Sequence, residues 1–265
     1  MRISYPIIKS ICGIFVLTML LSTCKKDDGV KLLGPGIMLS TDVQPHHWFR
    51  MRDFLKDNNI KITFYINGYQ ELTDSQIQQM RILVGDGHEM AHHTKTHPNI
   101  ITYLKQNTLA EYLKTEIVEI SDLMKKDGFD PVTFAYPDGE YTTESDQELL
   151  KLFYSVRKTQ QPYLNKDLED MDPIYYKYGN LKILNAGSID RKFKHGLDEV
   201  YAALEKAKKS HQCIALYCHF VSYDNVAGDE GAYGINESDI KAVLLRAKSL
   251  HLTFYTAADV SRKTF

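Results

Sequence analysis

The 265-residue sequence lacks most of the devices that staple a small protein together. It has four cysteines, and two of them, Cys12 and Cys24, fall within the first two dozen residues. The other two, Cys213 and Cys218, lie five apart in CIALYC, a stretch that reads as a strand. Five steps along a strand leave two side chains on opposite faces, roughly 16 Å apart, so no disulfide joins them. Stability therefore rests on a core, and the chain is long enough to bury one. Neither sign of charge is in excess: 32 Lys and Arg stand against 34 Asp and Glu, a net charge of −2. That balance gives no reason to expect nucleic acid or an anionic membrane surface as partner. Tryptophan occurs once, and the aromatic content is 17 Tyr and 11 Phe, most of it accounted for by packing. There is no internal repeat and no low-complexity segment. No apolar run approaches the about 20 residues that span a bilayer.

The longest such run lies at the start. Arg2 and Lys9 precede ICGIFVLTMLL (11–21), which has the length of a signal-peptide hydrophobic region. LSTCKKDD (21–28) follows and resembles a bacterial lipoprotein cleavage site, with Cys24 as the lipidated residue. The expectation is a signal peptide over 1–23, a tether over 24–35 and one domain over 36–265. The protein would be exported and lipid-anchored through Cys24 to the bacterial outer membrane, facing the periplasm or the cell surface.

From residue 36 onward, short apolar runs alternate with amphipathic stretches. Strands are expected at 36–41, 61–66, 88–92, 132–136, 153–158, 181–186, 213–218 and 252–257. Helical periodicity falls at 47–58, 74–84, 107–127, 143–151, 196–209 and 236–249. Strand then helix, repeated six or seven times, predicts a single α/β domain built as a distorted (β/α) barrel of about seven strands. Residues 159–180 have no clear period and read as a long loop of the kind that is often functional. In a parallel barrel the active site forms where strands end, so chemically useful residues should sit just after a strand.

Histidine supplies the first candidates. GHEMAHHTKTHPNI (87–100) holds four of the ten histidines, at 88, 92, 93 and 97. His93 and His97 are i, i+4, and in a helical turn both imidazoles would reach one ion. Thr94 could fix that turn by a local hydrogen bond. Two histidines still need an anionic or oxygen ligand, with a place left for water. His92 should face away from His93, and His88 reads as structural.

LSTDVQP (39–45), HTKTH (93–97), FAYPDG (134–139) and LYCH (216–219) resemble, in order and spacing, the motifs of the polysaccharide deacetylase family (NodB homology domain, carbohydrate esterase family 4). The resemblance covers roughly residues 36–260. It implies a metal-dependent hydrolase that removes acetyl groups, N- or O-linked, from a polysaccharide or oligosaccharide. On that pattern His93 and His97 are metal ligands, Asp42 is the general base and His219 the general acid. Imidazole ligands favour zinc or another late transition metal. Arg157 and Asp190 sit near strand ends where the family keeps residues that orient the catalytic histidine. Tyr136, Pro137 and Trp48 are candidate sugar-contacting residues.

The pattern is broken at three places. The family's second aspartate, a metal ligand, is Val43. Its third motif begins with an arginine that pairs with the catalytic aspartate, and that position is Ala135. The motif's aromatic position is Asp138. The missing donor can be supplied by Asp138, by Asp42 itself, or by an extra histidine among His46, His47 and His92. The same departures motivate the alternative: a non-catalytic carbohydrate-binding surface lipoprotein that keeps the deacetylase fold.

Overall fold

The computed structural model describes Met1 and residues 32–159, 166–223 and 232–262. Cys24, the hydrophobic run and most of the expected tether lie outside the described residues. No helix among the described residues is long and apolar enough to cross a membrane.

Seven parallel strands close on themselves: β1 (Gly36–Thr41), β2 (Thr63–Ile66), β3 (Glu89–His92), β4 (Thr133–Ala135), β5 (Ser155–Thr159), β7 (Ile183–Ser188) and β8 (Cys213–Cys218). β1 pairs along its whole length with β8, Gly36 opposite Cys213 through Thr41 opposite Cys218, and this pairing seals the barrel. β6 (Tyr175–Tyr176) runs antiparallel beside β8, and β11 (Thr253–Phe254) flanks β1. β9 (Phe220–Ser222) and β10 (Gly234–Asn236) form a separate parallel pair just past β8. Helices Asp74–Gly85, Thr143–Leu152, Leu197–Lys209 and Glu237–Ser249 lie between strands, close to where the 3.6-residue periodicity put them.

Alternation along each strand sorts the side chains between two cores. Ile37, Leu39, Phe64, Ile66, Ile214 and Leu216 point outward under the helices. Met38, Tyr65, Ala91, Ala135, Ala186, Ala215 and Tyr217 fill the barrel interior. A third cluster joins Phe134, Tyr136, Leu149, Phe153 and Val156 outside β4 and β5.

Three expectations need correction. Residues 32–35, assigned to the tether, are packed on the barrel: Leu33 is buried and its N–H donates to the Lys177 carbonyl at 2.9 Å. The described part of the long loop, 166–180, is structural. Leu168, Met171, Ile174 and Tyr175 are buried in the outer core, and the Leu168 N–H donates to Glu199. A Cβ on Gly187 would stand 2.8 Å from Leu168, so glycine is what lets the loop lie this close. Finally, His93 and His97 do not share a helical turn. Residues 93–99 form an irregular loop in which Thr94 and His97 are left-handed, at φ 69° and 60°.

Candidate active site

The carboxyl ends of β1, β3, β5 and β8 bring four sequence-expected residues to one mouth of the barrel. Asp42 directly follows β1 and is 8% exposed. Its Oδ2 accepts from Nη2 of Arg157, and His93 Nε2 stands 3.9 Å from the same oxygen. Oδ1 is buried with no hydrogen-bond partner. Burial by itself raises the Asp42 pKa, but Arg157 above all, helped by His219, outweighs it and holds the carboxylate below its ordinary value.

His93 extends the β3 ladder, its N–H donating to the Ile66 carbonyl at 3.0 Å. Its Nδ1 lies 2.9 Å from the Ala135 carbonyl. A carbonyl can only accept, so Nδ1 carries the proton and Nε2 presents its lone pair. Nε2 is buried and has no hydrogen-bond partner. Burial pushes the His93 pKa down to about 3, which keeps the ring neutral. The His97 ring meets His93 edge-on with centroids 4.7 Å apart. Thr94 fixes this return of the chain, its Oγ1 accepting from the His97 N–H at 2.9 Å. A residue not singled out from sequence braces the same loop. Glu116, 6% exposed, accepts from the N–H groups of Lys95 and Thr96 at 3.0 and 2.8 Å and from the Thr96 hydroxyl at 2.9 Å. It belongs to a π-helical stretch, Leu113–Val118, of a type often found beside functional sites.

His219 ends β8. Its Nδ1 donates to Asp190 Oδ2 at 2.7 Å, and its backbone N–H to Asp190 Oδ1 at 3.0 Å. Asp190 is buried and also accepts from Ser188 Oγ at 3.1 Å. Burial opposes charge on His219, yet the bond and charge of Asp190, helped by Asp42, raise its pKa above the ordinary value. The His219 carbonyl accepts from Thr41 Oγ1 and from Trp48 Nε1, at 3.0 and 2.8 Å, and so laces the end of β8 to β1.

Other candidates are placed differently. Trp48 and Tyr136 are fully buried, so neither ring is available for stacking on a sugar, and Pro137 is buried as well. Tyr136 points outward from the barrel, its hydroxyl bonded to Ser145 and Asp146 at 2.9 Å. Tyr233 is an exposed ring near the site. It is 41% exposed, with its centroid 5.5 Å from that of His219, and the short β9–β10 pair puts it there. His92 faces away from His93 and its Nε2 lies 3.0 Å from the Ile117 carbonyl. His88 is structural, its Nδ1 accepting the Ile62 N–H at 3.1 Å. The His46 and His47 rings sit 4.0 Å apart, and burial keeps His47 at about 4.

Of the expected ligands, the His93 and His97 rings adjoin, and the buried Nε2 of His93 lacks a partner, which fits a donor to a cation. A third protein ligand is absent: no group of three His, Cys, Asp or Glu side chains among the described residues is arranged to hold an ion. Asp138, the expected third ligand, is exposed, adopts φ 56° and accepts from the Asn99 side chain at 3.2 Å. Val43 is buried in the outer core.

Comparisons with known proteins agree with this architecture. Residues 30–156 match the family model described as polysaccharide deacetylase. The chitin deacetylase of the fungal pathogen Colletotrichum lindemuthianum superposes with a TM-score of 0.59 at 16% identity, over 88% of this chain and 90% of that one. The Bc1960 peptidoglycan N-acetylglucosamine deacetylase gives 0.53 at 14% identity, over 89% and 93%. BA3943 of Bacillus anthracis, a carbohydrate esterase family 4 pseudoenzyme, gives 0.55 at 14% identity, over 87% and 66%. No curated protein matches by sequence. The matched segment and the closed seven-strand barrel are both similar to those of the polysaccharide deacetylase family, as expected of a divergent relative.

Proposed function

We propose that the protein is a metal-dependent hydrolase that removes acetyl groups from a carbohydrate, and that it is exported and anchored to the outer membrane by lipid on Cys24. One observation carries the enzymatic reading. A buried carboxylate with one oxygen engaged and one oxygen free, Asp42, lies between a neutral imidazole, His93, and a carboxylate-supported imidazole, His219.

His93 and His97 would hold the divalent cation, and zinc suits two imidazoles. When bound, such an ion supplies Lewis-acid polarisation of a carbonyl and activation of water. The chain's own residues handle the protons. Arg157 occupies Asp42 Oδ2 and leaves Oδ1 as the oxygen that accepts a proton from attacking water. Asp190 fixes the His219 tautomer with Nδ1–H inward, so Nε2 delivers a proton to the leaving amine or sugar oxygen. The raised His219 pKa keeps that proton available. The exposed Tyr233 ring, edge-on to His219 and capped by Lys192, would offer the sugar an aromatic edge. Acetate release from N-acetylated chitooligosaccharides and O-acetylated xylan tests the proposal. His93→Ala and His219→Ala should each abolish it, and unchanged release in both would end it.

A second reading, a carbohydrate-binding surface protein without catalysis, is favoured by the buried Val43 and by the missing third donor. The pseudoenzyme among the structural relatives supports it, as does the description of a BA3943 mutant with restored enzymatic activity. Calorimetric titration with zinc separates the two readings. Stoichiometric binding favours the enzyme, and none with retained oligosaccharide binding favours the lectin-like role.

A further inference from the structure

A guanidinium from a neighbouring strand fixes the orientation of Asp42. Arg157 is fully buried in β5, and its guanidinium lies 5.0 and 4.8 Å from the ring centroids of Tyr65 and Tyr217. Its Nη2 holds Asp42 Oδ2, while Nε and Nη1 have no partner. As core filling this is a poor choice. A buried ion pair stabilises less than apolar side chains of the same volume, and unpaired N–H groups add to its cost. What the guanidinium does achieve is to engage one carboxylate oxygen of Asp42 and leave the other free.

The position opposite Arg157 on the next strand is Ala135. Register partners in parallel strands point to the same face. Ala135 lies in the interior cluster with Tyr65 and Tyr217, the two rings that sandwich Arg157. A guanidinium reaching Asp42 from this part of the barrel can therefore be carried by β4 or by β5. Here β4 carries a methyl group and β5 carries the arginine.

We propose that Arg157 is the positioning residue for Asp42, and that positions 157 and 135 are interchangeable origins for the same guanidinium. This rests on the reading of Asp42 as general base. The test compares the wild-type protein with Arg157→Ala and with the double variant Arg157→Ala/Ala135→Arg. Acetate release, thermal unfolding and crystal structures are measured for each.

Arg157→Ala should lower kcat about a hundredfold, the low end of what a positioned general base contributes, and leave KM within about threefold. The double variant should recover at least about tenfold of that loss, return the melting temperature toward wild type and put the new guanidinium on Asp42 Oδ2. The inference is overturned if Arg157→Ala keeps kcat within about threefold. It is equally overturned if a folded double variant works no better than Arg157→Ala. Should the wild-type protein release no acetate from any substrate, the functional reading fails and the crystal structures decide the inference. Asp42 displaced in Arg157→Ala and restored in the double variant supports it, and Asp42 unmoved in both overturns it.

Discussion

Replacing Asp190 by asparagine separates the charge of the His219 support from its shape. Asp190 accepts three hydrogen bonds with two oxygens: the His219 N–H on Oδ1, and His219 Nδ1 and Ser188 Oγ on Oδ2. Asparagine offers one acceptor oxygen, so at least one donor loses its partner at every pH, at about 1 kcal/mol. A second loss appears only when His219 is charged. The bond from imidazolium to carboxylate contributes about 1.5–3 kcal/mol, against about 1 kcal/mol for a neutral bond. The Asp190 side chain is fully buried and that of His219 is 22% exposed, so solvent screening reduces this little. The sign follows from the raised His219 pKa. Its stabilisation is fully present below the unfolded value near 6.5 and is lost as pH rises through the folded value. Asp190→Asn should therefore cost about 1.5–3 kcal/mol in urea unfolding at pH 5.5 and about 1 kcal/mol at pH 8.5. With the carboxylate gone, burial dominates and His219 should titrate below its ordinary value in an NMR titration. An equal loss at the two pH values, or an unchanged His219 titration, would refute the account of the pair.

Two further substitutions probe the histidine loop and the absent ligand. Val43→Asp places a carboxylate at a buried site and should destabilise the metal-free protein by about 3–5 kcal/mol, the penalty for a buried unpaired charge. Zinc should bind this variant about tenfold or more tighter, a gain of ~1.4 kcal/mol, and calorimetry together with melting with and without zinc measures both effects. Glu116→Ala removes the acceptor of two loop N–H groups. Amide exchange at Lys95 and Thr96 should speed up and zinc affinity should fall, while the melting temperature drops only a few degrees because that loop is partly open to water.

β1 and β8 were legible at their observed bounds because strands buried on both faces read as unbroken apolar runs. The spacing of HTKTH gave the two imidazoles but not their geometry. The left-handed backbone at Thr94 and His97 is set by tertiary contacts such as those from Glu116, which lies about twenty residues away in sequence. Pairs such as Arg157 with Asp42 and Asp190 with His219 span 115 and 29 residues, and no local period encodes them. Tyr136 was misread although a signal existed. It shares its face with Phe134, with centroids 5.0 Å apart, so strand alternation already pointed it away from the barrel interior that Ala135 faces.

The departures at Ala135 and Val43 differ in kind. A closed parallel sheet offers each inward position a lateral neighbour on the same face, and at Ala135 that neighbour is Arg157. Val43 has no comparable substitute. Val43 lies past the end of β1, beyond its last register partners, Thr41 with Phe64 on β2 and with Cys218 on β8, so no strand neighbour stands in register with it. The proposed proton-handling pairs, Asp42 with Arg157 and His219 with Asp190, are thus both assembled, whereas only two of the proposed ligands, His93 and His97, adjoin. On the proposed enzymatic reading, the buried guanidinium on Asp42 and the buried aspartate on His219 serve proton transfer, and the weak point of the chemistry is cation affinity. Activity should therefore respond far more steeply to zinc concentration than to pH across the neutral range, and a response in the opposite order would place the weak point in the proton-handling residues.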